Sequence, residues 1–197
     1  WLGDEQARDP AEIVSGSRMV DLEQSEADLA VRGAPSLGGD LIARRLCNCG
    51  WSLYASPSYL ARRAAPTSLD DLSGHDLIGY HASLSQMPPA QWLEERTAPA
   101  VVVLRSREMT DMVAAASSGL GLAVLPCVLA DVEPELVRLT PEVLATRTLS
   151  LVYRREMRLS APVSAVIDFV FDVMRANAAS IEGTSGTAAP ADEKAPR

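Results

Sequence analysis

The sequence contains little histidine and little cysteine. Among 197 residues there are two histidines, His75 and His81, and three cysteines, Cys47, Cys49 and Cys127. A zinc site usually needs four ligands at CxxC-like or histidine-containing spacing, which this set does not supply. Cys47 and Cys49 are two residues apart in or beside a predicted strand, so both thiols would face the same side. We expect reduced, mostly buried cysteines and no metal, with redox sensing by Cys47 and Cys49 as the alternative.

Motifs of the common hydrolases, nucleotide-binding proteins and metalloproteases are also missing. The chain has no GxSxG elbow, no GxxxxGK[ST] phosphate loop and no HExxH motif. Neither histidine has a partner acid and a nucleophile in view that would make a catalytic triad. The segment Gly119-Leu120-Gly121 precedes a predicted strand rather than opening a helix, so it is not a dinucleotide fingerprint. We therefore expect no catalytic residues, no cofactor and no enzyme.

Basic charge and long apolar runs are both scarce. Lysine and arginine total 18 against 26 acidic residues, and the formal net charge is −8, so any contact with DNA must come from outside this chain. No apolar run is long enough to span a bilayer. The first five residues, WLGDE, have neither the charge nor the apolar block of a signal peptide. With 47% hydrophobic residues the chain is an ordinary globular protein, and a cytoplasmic location is expected.

The clearest structural pattern lies in residues 106–126. Ser106 is predicted to cap a helix, Gly119 to end it, and the apolar residues that follow to form a buried strand. Residues 101–104 are apolar and predict another strand, so the order strand, helix, strand indicates a parallel crossover unit. Small ligands bind α/β sheets where a strand end meets a helix N-terminus, here at Arg105 and Ser106. A purely structural unit would have the same pattern.

The rest of the chain alternates strand and helix patterns in the same way. Strands are predicted at residues 13–15, 28–32, 42–46, 51–55, 77–80, 136–139 and 149–153, and helices at 1–8, 19–26, 57–63, 68–72, from 88 and from 160 to 174. We assign residues 1–52 and 141–178 to subdomain I and residues 53–140 to subdomain II. Residues 179–197 carry no periodicity and are predicted to be a disordered tail.

Several segments, taken in order, resemble the effector-binding domain of LysR-type transcriptional regulators. They are ADLAVR at residues 27–32, ASPSYL at 55–60, LDDLSGHD at 69–76, SGLGLAVLP at 118–126 and LSAPVSAVIDFV at 159–170. The resemblance covers nearly everything from residue 1 to residue 174. It implies two Rossmann-like α/β subdomains joined by two crossover strands, as in type 2 periplasmic binding proteins, with a small effector in the cleft between them.

The chain departs from the family pattern at its amino terminus. The winged helix-turn-helix and linker helix of the family should precede this domain, and neither is in the sequence. The strand expected before the Trp1 helix is also missing. We therefore expect an N-terminally truncated domain in which part of the pocket is absent and the parallel sheet is weakened.

The resemblance also implies where a ligand would lie, on two walls of the cleft. One wall has Ser15 at the end of the second family strand and Arg32 and Gly33 at the mouth of the third. The other wall has Arg105, Ser106 and Met109 at a helix start and Leu125 and Pro126 at a strand end. Backbone N–H groups at a helix start, with Arg32 or Arg105, suit a carboxylate, so a small organic acid is the favoured ligand. A solvated surface charge is the alternative for each arginine.

We expect this chain to be the sensor and dimerisation domain of a LysR-type DNA-binding regulator. Its effector would bias the closure or assembly of a homodimer or tetramer, and DNA would be bound through the absent winged helix-turn-helix. The resemblance implies antiparallel pairing, with the Trp1 helix and the strand near Ile13 against residues 56–63 of a partner chain. A solute-binding protein of a transport system would share the fold, although the missing export signal argues against it.

Overall fold

A computed structural model of the chain describes residues 11–16, 20–24, 26–33, 38–70, 72–96 and 102–185. Within these ranges the mixed α/β fold predicted from the sequence is confirmed. The strands are β1 (Leu29–Gly33), β2 (Leu41–Ala55), β3 (Leu77–Tyr80), β4 (Val102–Ser106), β5 (Leu122–Pro126), β6 (Val137–Arg138) and β7 (Ala145–Arg154). The helices are α1 (Pro57–Arg62), α2 (Pro88–Glu94), α3 (Met109–Ser117), α4 (Cys127–Ala130), α5 (Ala161–Ala176) and α6 (Ala178–Glu182). Two short 3₁₀ helices span Ala82–Leu84 and Arg155–Leu159.

The chain forms two compact units. The first unit contains residues 1–48 and 147–178, and the second unit contains residues 49–146 and 179–197. The chain passes from one unit to the other within β2, within β7 and after the first residue of α6. The sequence-based assignment places the first two changes at 52/53 and 140/141. Because these two changes fall inside the continuous strands β2 and β7, no turn marks them.

The first unit is built on the pairing of β1 with β7 and on helix α5. β1 and β7 are antiparallel, with Leu29 opposite Tyr153 and Gly33 opposite Leu149. Helix α5 is confirmed: it begins at Ala161 with a proline in its first turn, where the missing N–H is harmless. The apolar side chains of α5 meet the strands in a core around three buried residues, Leu151, Tyr153 and Ile167, with Leu29, Ile42, Leu46, Val163, Val170 and Phe171 packed against them.

The second unit has a sheet in the order β2-β5-β3-β4, and β6 pairs with β2. β3 is parallel to both β4 and β5, whereas β2 is antiparallel to β5. The predicted crossover of β4, α3 and β5 is therefore confirmed, with β3 between its two strands. The core includes Tyr54, Ile78, Met112, Ala116 and Leu125, with Met109 and Val113 packed against it. Gly119 ends α3 with a φ of +84°, as its position after the helix predicts.

Three predicted elements in the described ranges are wrong. Residues 13–15 form no strand, and Ile13 and Val14 are 90% and 74% exposed. Residues 21–24 form a turn rather than part of a helix, because the Asp21 carboxylate accepts from the N–H groups of Glu23 and Gln24. Residues 68–70 form no helix: Leu69 and Asp70 lie in a bend, where the Ser68 hydroxyl accepts from the Asp70 N–H at 3.1 Å. The helix predicted at residues 1–8 lies outside the described residues.

The predicted disordered tail begins too early. Residues 178–182 form α6, and Ile181 is only 7% exposed. The Thr184 N–H donates to the Ala179 carbonyl at 2.9 Å, and Arg138 donates to the Gly183 carbonyl at the same distance. A single buried side chain and a long-range hydrogen bond leave no periodic pattern, so the order of this segment is not visible in the sequence. Residues 186–197 lie outside the described ranges.

Candidate functional site

The carboxyl ends of three parallel strands meet at one edge of the sheet in the second unit. β3 ends at Tyr80, β4 at Ser106 and β5 at Pro126. Tyr80 is in register with Ser106, and the His81 N–H donates to the Ser106 carbonyl at 2.9 Å. On β2, Trp51 is in register with Pro126. We call this region the carboxyl edge; in α/β sheets it is where the loops and helix starts that follow the strands can hold a small ligand.

Ser106 connects β4 to α3 through two hydrogen bonds of its hydroxyl. The hydroxyl accepts from the Glu108 N–H at 3.1 Å and donates to Oδ2 of Asp111 at 2.9 Å. The predicted role of Ser106 as the helix cap is corrected: β4 extends through Ser106, and α3 begins at Met109 with Glu108 in the N-cap position. Ser106 closes the turn that leads into the helix instead.

The first turn of α3 offers backbone donors. The N–H groups of Met109, Thr110 and Asp111 have no acceptor among the residues that the structure describes. Such groups carry the partial positive charge of a helix start and favour an anion. The Asp111 carboxylate lies in the same turn and adds one negative charge. A small monoanion is therefore favoured there over a dianion.

Leu125, Pro126 and Met109 border the carboxyl edge chiefly through their backbone. Leu125 is fully buried in the core of the second unit, and Pro126 is buried at the start of α4. The Met109 side chain is half-buried and packs against the same core. Core packing fixes the backbone on both sides of the strand ends, which is what a preorganised site requires.

A group of hydroxyl and carbonyl oxygens beside this edge was not predicted. The buried hydroxyl of Ser52 lies 3.4 Å from Oγ1 of Thr140 and 3.2 Å from the Glu142 carbonyl. The Thr140 hydroxyl donates to the Glu142 carbonyl at 2.7 Å. Ser52 is one residue from Trp51, which faces Pro126 across the ladder. The available signal was a serine inside the apolar strand Trp51–Ala55, where an unpaired hydroxyl would be costly.

Arg105 does not join Ser106 at the start of α3. Its Nη1 donates to the Tyr80 carbonyl at 3.1 Å, and its side chain crosses Gly79, where an added Cβ would lie 3.5 Å from Nη1. The guanidinium lines a cavity together with Ala90 and Glu94 of α2. Consecutive side chains of a strand point to opposite faces of the sheet, so Arg105 and Ser106 cannot contribute to the same binding site.

The three candidate residues of the first unit lie in two places. Arg32 and Gly33 are at the end of β1, whereas Ser15 is exposed and outside any strand. The Gly33 carbonyl accepts from Nη2 of Arg147 at 2.6 Å, and the Arg147 side chain occupies the space that a Cβ at Gly33 would need. Ser15 therefore lacks the strand end on which its predicted role depends.

The Arg32 guanidinium already has a backbone acceptor and shares a cavity with two acidic residues. Its Nη2 donates to the Val20 carbonyl, and it lines a cavity of about 270 Å³ with Asp21 and Glu23. Two carboxylates near one guanidinium lower its attraction for an incoming anion. Arg32 is thus a weaker candidate anion partner than the sequence suggests.

The second unit also contains a buried polar cluster that the sequence analysis did not predict. The Tyr54 hydroxyl donates to Oδ1 of Asp131 at 2.6 Å, and Nη1 of Arg138 lies 3.6 Å from Oδ2 of the same carboxylate. Burial, followed by the hydrogen bond to Asp131, raises the pKa of Tyr54. Burial also raises the pKa of the neighbouring Cys127 thiol. Because these groups stay protonated at neutral pH, the cluster is structural rather than reactive.

The described residues contain no group of three or more histidine, cysteine, aspartate or glutamate side chains placed to hold a metal ion. None of the three cysteines forms a disulfide, and all three are buried, as predicted. Within the same ranges no helix has both the length and the apolar character that crossing a bilayer requires.

Comparison with known proteins identifies the family of this fold. The sequence model described as the LysR substrate binding domain matches residues 11–175. The chain belongs to the LysR substrate-binding domain family. The matched residues contain all the strands described above and helices α1 to α4.

A related sequence is the HTH-type transcriptional regulator CrgA of Neisseria meningitidis serogroup C, strain 8013. It is 27% identical over 179 residues, which are 84% of this chain and 57% of CrgA. The chain thus spans a little more than half the length of this curated relative. The relatives found are named as transcriptional regulators, so the comparison favours a regulator over an enzyme or a transport protein.

Two solved structures share the fold. The regulatory domain of CrgA from Neisseria meningitidis superposes with a TM-score of 0.63 at 23% identity and covers 78% of each chain. The full-length virulence activator AphB of Vibrio cholerae gives a TM-score of 0.63 at 24% identity, over 83% of this chain and 57% of AphB. These likenesses establish the LysR-type regulatory-domain fold, which the motifs of the sequence predict.

Proposed function

We propose that this chain is the effector-sensing and dimerisation domain of a LysR-type DNA-binding transcriptional regulator. The observation that carries the proposal is the family match over residues 11–175. The effector is a small organic anion that binds at the carboxyl edge of the second unit. DNA is bound through a winged helix-turn-helix outside this chain, which agrees with the net charge of −8. The regulator works in the cytoplasm.

The carboxyl edge supports this ligand class through its free donors. The N–H groups of Met109, Thr110 and Asp111 have no acceptor among the described residues, and the Ser106 hydroxyl holds the turn that presents them. Several N–H groups converging on one carboxylate form charge-assisted hydrogen bonds, which are about twice as strong as neutral ones. The Asp111 carboxylate limits the ligand to a small negative charge.

A homodimer or tetramer is the proposed assembly. Ile13 is 90% exposed and Val14 is 74% exposed, so the segment expected to meet a partner chain has apolar surface to bury. The other predicted contact, helix α1, forms at Pro57–Arg62. Effector binding would act by favouring one arrangement of this assembly over another.

The test is a thermal-shift screen of the chain against organic acids, amino acids and aromatic carboxylates. A ligand at a hundred times its Kd stabilises the native state by about 2.7 kcal/mol, so a true effector raises Tm clearly. The Ser106→Ala variant should lose most of this shift. Ser118→Ala is the matched control, because Ser118 lies at the other end of α3 and its hydroxyl also makes a local hydrogen bond, to Ala115, at 2.8 Å.

Two results would contradict the site. The first is a cooperative melt that no compound of the panel shifts. The second is an equal ligand-induced shift in the Ser106→Ala and Ser118→Ala variants.

A further inference from the structure

A cavity of about 240 Å³ lies beside α2 in the second unit, apart from the start of α3. Its floor is formed by Gly79 and Tyr80 of β3 and by Ala90 and Leu93 of α2. The cavity exists because two facing positions are small. Gly79 has no side chain, and Ala90 presents a single methyl group.

The volume of this cavity is larger than that of a packing defect. Protein interiors hold few voids larger than one water molecule, and a water molecule occupies about 30 Å³ of liquid. The cavity is still smaller than pockets for drug-sized ligands, which begin at about 300 Å³. It suits a metabolite of amino-acid size.

Two opposite charges line the cavity without pairing. Glu94 and Arg105 are both solvent-exposed, and no ion pair joins them or binds either of them to another described residue. Nη1 of Arg105 donates to the Tyr80 carbonyl, and its remaining donors have no described acceptor. Two residues after Glu94, Arg96 makes ion pairs with Glu95 and Asp70. Opposite charges that face one cavity while remaining apart are suited to a ligand that carries both charges.

The apolar floor requires a ligand with a hydrophobic part. Leu93 is 4% exposed and Ala90 is 2% exposed, and the Tyr80 hydroxyl is already bonded to the Val124 carbonyl at 2.6 Å. The floor therefore offers the ligand no free side-chain polar group. Burial of an aliphatic side chain there would contribute through the area removed from water.

We propose that this cavity binds a small α-amino acid with an apolar side chain. Arg105 binds the carboxylate, Glu94 binds the ammonium group, and the side chain packs on Ala90 and Leu93. This second site goes beyond the proposed function, because it shares no residue with the donors at the start of α3. It gives the domain a means to respond to an amino acid independently of its effector.

The first experiment is isothermal titration of the purified chain with alanine, valine, leucine and phenylalanine. The best binder is then compared with analogues that lack one charge; for leucine these are 4-methylpentanoate and 3-methylbutylamine. A charge-assisted hydrogen bond lost from one end should weaken binding by about tenfold or more. The zwitterion should therefore bind at least about tenfold more tightly than either analogue.

Variants separate the two charges. Glu94→Gln should weaken the binding of leucine by about tenfold and leave the binding of 4-methylpentanoate unchanged. Arg105→Gln should weaken the binding of both compounds. Glu95→Gln is the control, because Glu95 is on the same helix end and does not line the cavity. Ala90→Leu fills the cavity and should abolish binding, and its circular dichroism and melting curve show whether the fold is retained. Ala90→Val is the smaller replacement if the leucine variant does not fold.

The proposal is overturned if none of the four amino acids binds at millimolar concentration. It is also overturned if the charge-deficient analogues bind as well as the zwitterion, or if a folded cavity-filling variant still binds. An effector that acts equally on the parent chain and the cavity-filling variant, and loses its effect in Ser106→Ala, supports the carboxyl edge alone. The two sites can thus fail separately.

Discussion

Nη1 of Arg138 donates a hydrogen bond to the Gly183 carbonyl at 2.9 Å and joins β6 to the segment that follows α6. The Arg138 side chain is only 4% exposed and also faces the Asp131 carboxylate. An added Cβ at Gly50 would collide with the Glu182 carbonyl, so glycine permits the close approach of this segment to β2. Residues 179–185 are therefore an integral part of the second unit.

Replacing Arg138 with alanine should destabilise the domain strongly. The change leaves the Asp131 carboxylate without its counter-charge and the Gly183 carbonyl without its donor. Breaking a buried ion pair from one side costs about 3–5 kcal/mol, and the partial exposure of Asp131 places the expected loss near the lower end. Urea unfolding measures the difference. Arg175→Ala, which removes a surface pair with Asp172, should change the free energy by at most about 1 kcal/mol. Equal losses of unfolding free energy in the two variants would show that the Arg138 contacts do not stabilise the second unit.

Three glycines provide a graded test of backbone conformation and space. A Cβ added at Gly38 would meet nothing within 4 Å, and Gly38 has no positive φ. The free energy of unfolding of Gly38→Ala should therefore stay within about 0.5 kcal/mol of that of the parent chain. Gly74→Ala also meets open space but has a φ of +83°, so it should lose about 1 kcal/mol. Gly119→Ala combines a φ of +84° with a Cβ only 2.7 Å from the Ser58 hydroxyl and should lose the most. Chemical denaturation ranks the three variants, and a different order contradicts this account.

A hydrogen-bonded cluster around Tyr59 predicts a pH dependence of stability. The Tyr59 hydroxyl accepts from the Asp76 N–H at 3.0 Å and lies 3.2 Å from Nδ1 of His75. When His75 is neutral with its proton on Nε2, Nδ1 accepts from the Tyr59 hydroxyl, and this hydrogen bond is lost when the imidazole is protonated. Burial, followed by the positive charge of Arg63, lowers the pKa of His75, while the Asp76 carboxylate acts in the opposite direction.

A histidine with a lowered pKa stabilises the fold only while it is neutral. The unfolded chain takes up the proton first, near the ordinary pKa of about 6.5, so stability is full above that pH. It falls as the pH drops through 6.5 towards the lower pKa of the folded state. His75→Asn should flatten the profile between pH 7 and pH 5, measured as urea midpoints. His81→Asn is measured in the same way as the control. A pH slope that is unchanged in His75→Asn would contradict a lowered pKa of His75 in the folded state.

The elements that could be predicted from the sequence are those whose cause is local. The end of α3 at Gly119 depends on residues next to it in the chain, and it was predicted correctly. The break predicted between residues 46 and 51 was wrong, because β2 runs through it without interruption. Asn48 is a turn former, yet its side-chain oxygen accepts from Thr148, one hundred residues away, at 3.0 Å. No local pattern contains that partner.

In the candidate site, too, the features with a local cause could be predicted and those that depend on distant residues could not. The position of Ser106 at a strand end follows from the strand pattern around it. The direction of the Arg105 side chain depends on Gly79 and on α2, which come from other parts of the chain. The hydrogen bonds of the Ser52 hydroxyl likewise depend on residues 140 and 142, which are far away in the sequence. Residue type and order predicted which strand ends form the edge, but tertiary packing decides which side chains face it.

The buried cysteines should react slowly with alkylating agents in the native protein. Burial raises the pKa of Cys127, so the reactive thiolate is scarce at neutral pH, and Cys47 and Cys49 are also buried. Iodoacetamide labelling followed by mass spectrometry should show three slow sites without urea and three fast sites in denaturing urea. Rapid labelling of Cys47 and Cys49 alone in the native protein would instead support the alternative that these two cysteines are redox sensors. Rapid labelling of Cys127 would mean that the segment after α6 opens readily, because Gly183 packs directly against the Cys127 sulfur.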